Sequence, residues 1–90
     1  MSAPSTYHVY LLECADGSIY TGITTDLARR FAEHTEGIGS RYTRSRKPVR
    51  ILYSEESKDR SSAQKREAEI KGWPRARKLA LGVSGMAPRL

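Results

Sequence analysis

A hairpin between two runs of strand-forming residues is the strongest constraint that this sequence places on its fold. The first run, Tyr7–Cys14, is rich in aromatic and branched residues, as strands usually are. The second run, Ser18–Ile23, has the same character, and the turn-forming dipeptide Asp16-Gly17 lies between the two runs. The chain therefore begins its core with an antiparallel strand pair.

The length of the hairpin loop decides on which face of the sheet two tyrosines lie. With a two-residue loop, Asp16-Gly17, Tyr10 and Tyr20 fall on opposite faces, because side chains alternate along a strand. With a three-residue loop, Ala15-Asp16-Gly17, Tyr10 pairs with Gly22 and the two tyrosines share a face. The loop glycine suits both geometries, so the residues alone leave both registers open.

Helix and strand signals alternate after the hairpin. The first predicted helix is capped by Thr25 or Asp26 and stopped by Gly37, and a basic loop over residues 37–48 leads to a strand at Val49–Ser54. A second helix begins with the capping box Ser61–Gln64 and reaches about Lys71. A third helix has Pro74 in its first turn and ends near Leu81. The order β-β-α-β-α-α predicts a single α+β domain. We place this domain at residues 7–81 and expect flexible ends at 1–6 and 82–90.

The basic residues of the chain are concentrated in one segment. Residues 1–28 contain no Lys or Arg, whereas 15 of the 16 Lys and Arg residues lie in residues 29–78, the remaining one being Arg89. A basic segment within a chain of formal net charge +6 is typical of domains that bind a polyanion, most often nucleic acid. The alternative is a basic surface that serves solubility alone, and charge by itself does not decide between the two.

The composition excludes several other classes of protein and site. No apolar run approaches the ~20 residues that span a bilayer, and no secretory signal opens the chain. The single cysteine, Cys14, cannot form an internal disulfide, and with only His8 and His34 beside it a structural zinc site is not expected. We therefore expect a cytoplasmic protein without membrane contact.

Three polar residues lie where helical periodicity predicts full or partial burial. Arg30 and His34, four residues apart, fall at the edge of the apolar stripe of the first helix. An extended arginine stem and a boundary histidine explain this placement without any function. Glu67 falls on the apolar face of the second helix, where an unpaired carboxylate is costly. A salt bridge to an arginine and a functional site such as a metal centre both remain open for Glu67.

Five residues occur in the order and spacing of a known motif. Val9-Tyr10 and Tyr20-Thr21-Gly22 resemble the two half-motifs of the GIY-YIG nuclease domain. Arg30 follows the motif glycine by eight residues, His34 follows four residues later, and Glu67 takes the position of the family glutamate. The resemblance covers nearly the whole chain and is greatest to the small stand-alone bacterial members.

The sequence departs from the family pattern at two points. His8-Val9 stands in place of the leading glycine and isoleucine of the first half-motif. The chain also contains no asparagine, although some members use one late in the domain. That role is therefore absent here or filled by another residue.

The resemblance implies both a fold and an activity. The implied fold is a small central three-stranded antiparallel sheet flanked by helices, with the motif residues on one face. Tyr10 and Tyr20 then require the three-residue hairpin loop. The implied activity is metal-dependent hydrolysis of DNA phosphodiester bonds with low sequence specificity, and we expect single-stranded or branched DNA of repair or recombination as the substrate.

The resemblance also implies a role for each motif residue. Glu67 holds one divalent ion, Mg²⁺ or Mn²⁺. Arg30 binds the phosphate and stabilises the negative charge that develops on it. Tyr10, with help from Tyr20 or His34, positions and deprotonates the attacking water. The sequence does not decide whether Tyr10 or His34 is the general base.

Given the resemblance, we expect the basic segment to contact DNA phosphates and an unpaired base. The residues of this predicted nucleic-acid-binding segment are Arg41, Tyr42, Arg44, Arg46 and Lys47. A flexible, solvated loop is the alternative for the segment. The alternative function for the chain is a non-catalytic nucleic-acid-binding module, or a module that depends on a protein partner for specificity and activity.

Overall fold

Seven helices and strands form the part of the chain that the structure describes. The structure is a computed structural model, and it describes residues 6–84 with the exception of the side chains of Tyr42 and Ser84. The elements in chain order are β1 (Tyr7–Cys14), β2 (Ile19–Thr24), α1 (Leu27–Thr35), α2 (Arg41–Arg46), β3 (Pro48–Ser57), α3 (Arg60–Lys71) and α4 (Arg75–Ser84). The predicted α+β fold is confirmed, and the predicted elements occur in the predicted order.

The three strands form one antiparallel sheet in the order β2-β1-β3, so β1 is the central strand. Helices cover both faces of this sheet, as the resemblance implies. Leu27 and Phe31 of α1 pack on one face, against Leu12 of β1. α3 and α4 pack on the other face, where the buried core consists of Val9, Leu11, Ile19, Leu52, Ala63 and Ile70.

The hairpin between β1 and β2 has the three-residue loop. Leu12 pairs with Tyr20, and Tyr10 pairs with Gly22. The loop closes with a hydrogen bond from the Cys14 N–H to the Ser18 carbonyl at 2.9 Å. Gly17 takes the left-handed conformation, with φ of 85°, which glycine adopts without steric cost. The predicted placement of the two tyrosines on one face is thus confirmed.

The helix caps agree with the sequence for α1 but not for α3. Asp26 caps α1 by accepting from the Arg29 N–H at 3.1 Å. For α3 the predicted capping box at Ser61–Gln64 is wrong, because Asp59 caps the helix and accepts from the Ser62 N–H at 2.8 Å. An ionised carboxylate complements the positive end of a helix better than a hydroxyl does. The helix therefore begins at Arg60.

The segment predicted as a basic loop contains the short helix α2. Ser40 caps this helix by accepting from the Thr43 N–H at 3.1 Å. Lys47 ends it in the left-handed conformation, with φ of 52°. The N–H of Ala15 in the hairpin loop bonds to the carbonyls of Arg46 and Lys47 at 3.1 and 2.9 Å. These hydrogen bonds attach the end of α2 to the hairpin loop. Helical periodicity in the sequence does not predict such a contact.

The last helix is longer than predicted. α4 reaches Ser84, the last described residue, rather than ending near Leu81. A Cβ added at Gly82 would lie 2.6 Å from Cγ of Leu52, which shows how closely α4 packs on β3. Residues 1–5 and 85–90, also predicted to be flexible, lie outside the described residues.

One buried hydroxyl of the sheet predicts a stabilising substitution. Thr21 is only 3% exposed, and its Oγ1 has no hydrogen-bond partner among the described residues. Thr21→Val keeps the shape and removes the unpaired oxygen, so we expect the free energy of unfolding to rise by about 1–2 kcal/mol. Urea denaturation measures the change.

The matched control is Thr24→Val in the same strand. The hydroxyl of Thr24 accepts from the Asp26 N–H at 3.1 Å, so its removal should destabilise the protein by about 1 kcal/mol. Destabilisation of equal size by both substitutions would contradict the assignment of an unpaired hydroxyl to Thr21.

Candidate active site

Tyr10 lies at the centre of the sheet face that α1 covers, and its side chain is buried. Its hydroxyl lies 2.9 Å from Nε2 of His34 in α1. Gly22 lies beside Tyr10 on the neighbouring strand. A Cβ at Gly22 would lie 2.5 Å from the Tyr10 hydroxyl oxygen and 3.0 Å from the Tyr20 ring. The motif glycine is therefore needed for both tyrosines to occupy this face.

His34 is buried, with 1% of its surface exposed, so the interpretation as a boundary histidine is wrong. Its Nδ1 lies 2.7 Å from the hydroxyl oxygen of Thr43 in α2. Gly39 lies against the imidazole ring, and a Cβ at this position would overlap His34 Nδ1. The segment from Gly39 to Thr43 thus closes over the histidine and removes it from solvent.

The hydrogen bonds around Thr43 assign the tautomer of His34. The Thr43 hydroxyl donates to the Ser40 carbonyl at 3.3 Å, and it accepts from His34 Nδ1–H. His34 Nε2 then carries a lone pair, which accepts from the Tyr10 hydroxyl. The other tautomer would point Nε2–H at a phenol oxygen that already accepts a hydrogen bond from Arg30. The three side chains form a hydrogen-bonded chain in which Tyr10 donates to His34 and His34 donates to Thr43.

The burial of Tyr10 and His34 moves their pKa values apart. Burial raises the pKa of Tyr10 to about 12, while the Arg30 guanidinium acts in the opposite direction. Burial, helped by the positive charge of Arg30, lowers the pKa of His34 to about 4. Both groups are therefore neutral at pH 7. The phenol holds its proton, and the imidazole is available as a hydrogen-bond acceptor.

Tyr20 forms an aromatic cluster with Tyr10 and His34. Its ring centroid lies 5.0 Å from that of His34 and 6.3 Å from that of Tyr10. The rings are tilted against each other, as favourable aromatic pairs usually are. Tyr20 is only partly buried, so this phenol, unlike that of Tyr10, has a solvent-facing part.

Arg30 is held beside the aromatic cluster by two hydrogen bonds. One terminal nitrogen donates to Glu33 at 3.0 Å, and the other donates to the Gly39 carbonyl at 2.8 Å. The interpretation as an arginine that merely extends along apolar surface is therefore wrong. The guanidinium also donates a hydrogen bond to the Tyr10 hydroxyl, and with five N–H donors it keeps others beyond these contacts. Arg30 is oriented by the protein and keeps donors for an anion.

Glu67 lies in α3, the helix that packs on the sheet face opposite to α1. Its side chain is 21% exposed, and Oε2 lies 3.5 Å from Nζ of Lys71. Among residues 6–84, Glu67 does not form the salt bridge to an arginine that the sequence left open, and its partner is the more exposed Lys71. The negative charge of Glu67 contributes to the raised pKa of Tyr10. The carboxylate therefore lies within electrostatic reach of the phenol.

The donors present suit a weakly held hard cation better than a tightly chelated one. Within residues 6–84, no group of three or more His, Cys, Asp or Glu residues is placed to hold a metal ion. His34 offers no free ring nitrogen, because Tyr10 and Thr43 occupy both. Glu67 is the single suitable carboxylate, and Mg²⁺ is commonly held by one or two carboxylates together with water and substrate phosphates.

The predicted nucleic-acid-binding residues are distributed over and after α2. Arg41, Arg44 and Lys47 are exposed. Arg46 is ion-paired to Asp16 of the hairpin loop, with 3.2 Å between Nε and Oδ2. The predicted stacking residue Tyr42 has a side chain outside the described part of the structure. The basic side chains thus lie on a helix that is attached to the site through Thr43, rather than on a flexible loop.

Thr43 is the residue of this site that sequence reasoning missed. Its side chain is fully buried, and its hydroxyl contacts His34. The sequence did contain a sign of the helix that carries Thr43, because Ser40 is a residue type that commonly caps helices. That signal was obscured by the glycines and arginines around it.

Comparison with known proteins identifies the family. The description of the GIY-YIG catalytic domain matches residues 6–80. The chain belongs to the GIY-YIG family. A UPF0213 protein of Cupriavidus necator is 61% identical over 71 residues, covering 79% of this chain and 77% of the relative. A UPF0213 protein of Xanthomonas campestris is 49% identical over 89 residues, covering 98% of this chain and 87% of the relative.

Two solved structures resemble this GIY-YIG domain. The solution NMR structure of a UPF0213 protein from Bacillus halodurans is 43% identical, with a TM-score of 0.54 and coverage of 88% of this chain and 83% of that one. A solution NMR structure from E. faecalis is 36% identical, with a TM-score of 0.60 and coverage of 93% and 90%. The predicted fold and family are confirmed. None of the helices described in this GIY-YIG domain is long and apolar enough to cross a membrane.

The buried histidine of this GIY-YIG domain predicts a loss of stability in acid. The folded-state pKa of about 4 lies below the ordinary value of 6.5, so the unfolded chain binds the proton first. The stabilisation is complete above pH 6.5 and is lost as the pH falls toward 4. We expect the free energy of unfolding to fall by about 2–3 kcal/mol from His34 alone between pH 7 and 4.5.

Urea denaturation of the parent and of His34→Gln over this range separates the contribution of His34 from that of the carboxylates. The glutamine variant should show the weaker pH dependence. An NMR titration of the parent with a His34 midpoint near 6.5 would contradict the burial described above.

Proposed function

We propose that this GIY-YIG domain is a metal-dependent DNA endonuclease of low sequence specificity that acts on single-stranded or branched DNA. One observation carries this proposal. Tyr10, His34 and Thr43 form a buried hydrogen-bonded chain, and a positioned arginine and a carboxylate lie within electrostatic reach of its Tyr10 end. The arrangement combines a group that can orient water with a cation for phosphate, as hydrolysis of a phosphodiester requires.

The geometry favours Tyr10 over His34 as the group that contacts the attacking water. Both ring nitrogens of His34 are engaged, and its ring is buried. Neither ring nitrogen of His34 is therefore free to bind water directly. In this scheme Tyr10 orients the water, and Nε2 of His34 accepts the hydrogen bond of the phenol and fixes its direction.

The pKa values limit what Tyr10 can do in the absence of substrate. A phenol with a pKa of about 12 is almost entirely protonated at pH 7, so the free protein is a poor base. Arg30 already opposes this effect through its positive charge. Further positive charge at Tyr10 would lower the pKa toward the working range, and this is why we expect activity to depend on a cation.

Arg30 is the proposed phosphate ligand. Its bonds to Glu33 and Gly39 direct the guanidinium toward the aromatic cluster and leave donors for phosphate oxygens. Bonds from a planar, positively charged fork to phosphate are short and strong, and they strengthen as charge develops on the oxygens. Arg30 thus binds the substrate and stabilises the transition state from one position.

Glu67 is the proposed ligand of a divalent ion, Mg²⁺ or Mn²⁺. A bound ion would supply Lewis-acid stabilisation of the phosphate and its leaving oxygen. The carboxylate is half-buried and has one exposed lysine as its partner. This partner can move away into solvent when a more strongly charged cation binds.

The basic helix α2 is the proposed contact for the DNA backbone. Arg41, Arg44 and Lys47 present positive charge next to the site. Phosphate contacts position DNA without reading its sequence, which is the reason for proposing low specificity. Because Arg46 is ion-paired with Asp16, we expect it to contribute less to DNA binding than Arg41 or Arg44.

Substitution of the carboxylate distinguishes a nuclease from a binding module. We expect Glu67→Gln to lower cleavage of labelled single-stranded or branched DNA by about a hundredfold or more in Mg²⁺, since the loss of a metal ligand removes several kcal/mol of transition-state stabilisation. DNA binding measured by anisotropy should be preserved. EDTA should stop cleavage by the parent protein.

Glu69→Gln is the matched control, because this carboxylate is 56% exposed on the same helix and paired with Arg66. Its cleavage rate should equal that of the parent. Cleavage by Glu67→Gln at the parent rate would remove Glu67 from the mechanism. A parent protein that binds DNA but never cleaves it would support the alternative of a non-catalytic or partner-dependent module.

The basic helix predicts a change in the salt dependence of DNA binding. Each phosphate contact adds about −0.7 to −0.9 to the slope of log affinity against log salt concentration. The Arg41→Ala/Arg44→Ala variant should therefore bind more weakly and with a shallower slope, by about 1.4 to 1.8. Arg60→Ala/Lys65→Ala, which removes the same charge from exposed positions of α3, is the control. Equal slopes for both variants would show that total charge, not α2, determines binding.

A further inference from the structure

An exposed isoleucine lies beside the candidate site without an apolar partner in its own turn. Ile38 is 70% exposed, although it follows the end of α1 in a Schellman motif. The N–H of Ile38 bonds to the Glu33 carbonyl at 3.0 Å, and the N–H of Gly37 bonds to the His34 carbonyl at 3.1 Å. The residue after the glycine in this motif frequently packs on an apolar residue one turn earlier. Here that position holds the carboxylate Glu33.

The backbone holds Ile38 firmly on both sides. Gly37 takes the left-handed conformation with φ of 83°, and its two neighbouring hydrogen bonds complete the end of α1. On the other side, the Gly39 carbonyl accepts from Arg30 at 2.8 Å, and Gly39 packs against the His34 ring. Ile38 is therefore presented to solvent by the same residues that build the site.

Positive charge flanks the isoleucine. A Cβ at Gly37 would lie 3.6 Å from Cγ of Arg44, so the arginine stem passes next to Gly37, the residue before Ile38. Arg30 donates a hydrogen bond to the carbonyl of Gly39, the residue after Ile38. Of the acids nearby, Glu33 is paired with Arg30, and Glu36 is exposed. An apolar side chain between two arginines suits a ligand that carries both apolar faces and negative charge.

We propose that Ile38 contacts the face of an unpaired DNA base, while Arg30 and Arg44 bind the phosphates on either side of it. This inference rests on the proposed function in one respect, namely that DNA is the substrate. A base in a duplex hides its faces by stacking, and exposing a face is least costly where the base is already unpaired. Ile38 thus gives the domain its preference for single-stranded or branched DNA.

A protein partner fits these observations less well. A stable protein interface buries about 800 Å² on each side and centres on a cluster of apolar residues. Ile38 is a single apolar side chain among charged neighbours. One base between two phosphates matches its size and its surroundings.

Binding by variants of Ile38 tests the inference. Affinity is measured in EDTA for a labelled oligothymidylate and for a fully paired hairpin duplex of the same length. Ile38→Ala should weaken binding of the single strand by about five- to tenfold, from the lost burial of an aliphatic side chain, and leave duplex binding unchanged. The salt slope should stay the same, since no charge is removed. Ile38→Phe should bind the single strand at least as tightly as the parent.

Val83→Ala is the matched control, because Val83 is 85% exposed on α4, which packs against the opposite face of the sheet. It should bind both DNAs as the parent does. Parent-like binding of the single strand by Ile38→Ala, or an equal loss on the duplex, would overturn the inference. The first of these results would point to a protein partner instead.

The measurement also separates this inference from the proposed nuclease activity. Binding that depends on Ile38 without cleavage in Mg²⁺ or Mn²⁺ would support the base contact and overturn the nuclease. Cleavage of unpaired DNA by Ile38→Ala at the parent rate and affinity would overturn the base contact alone. A parent protein that binds neither DNA would overturn both.

Discussion

The hydrogen bond between the Tyr10 hydroxyl and Nε2 of His34 is the contact on which the site and its surrounding chain depend. It joins the central strand β1 to α1 across a face of the sheet, and the bond from His34 to Thr43 extends the chain to α2. Burial of a polar group costs free energy unless its hydrogen-bond partners are present. These three side chains meet that condition only in their observed positions.

The same condition explains the glycines around the site. Gly22 leaves room for the two phenols on one face, and Gly39 lets the backbone approach the imidazole. Either position with a Cβ would separate the partners of the hydrogen-bonded chain. The glycines are therefore required by close approach to side chains that carry the chemistry, while Gly17 is required by its backbone conformation.

Burial also determines the electrostatic character of the site. It raises the pKa of Tyr10 and lowers that of His34, so both are neutral at pH 7. Arg30 lowers the pKa of both groups by its charge, whereas Glu67 raises that of Tyr10. The phenol thus lies between a fixed cation and a carboxylate. Added positive charge would lower the pKa of Tyr10, which is the physical basis of the proposed dependence on a metal ion.

The sequence by itself determined the strands and three of the four helices, because hairpin, cap and periodicity signals are local. The motif residues were identified by the resemblance to a known family. The resemblance to a family resolved the hairpin register, which local signals left open between two loops. Only the tertiary structure revealed α2 and the inward position of Thr43, since the hairpin loop and His34 stabilise that short helix from outside its own sequence. It also decided the cap at Asp59, the burial of His34 and the lysine partner of Glu67. The burial of His34 and Thr43 depends on which distant side chains share a desolvated space, and neither periodicity nor composition encodes that information.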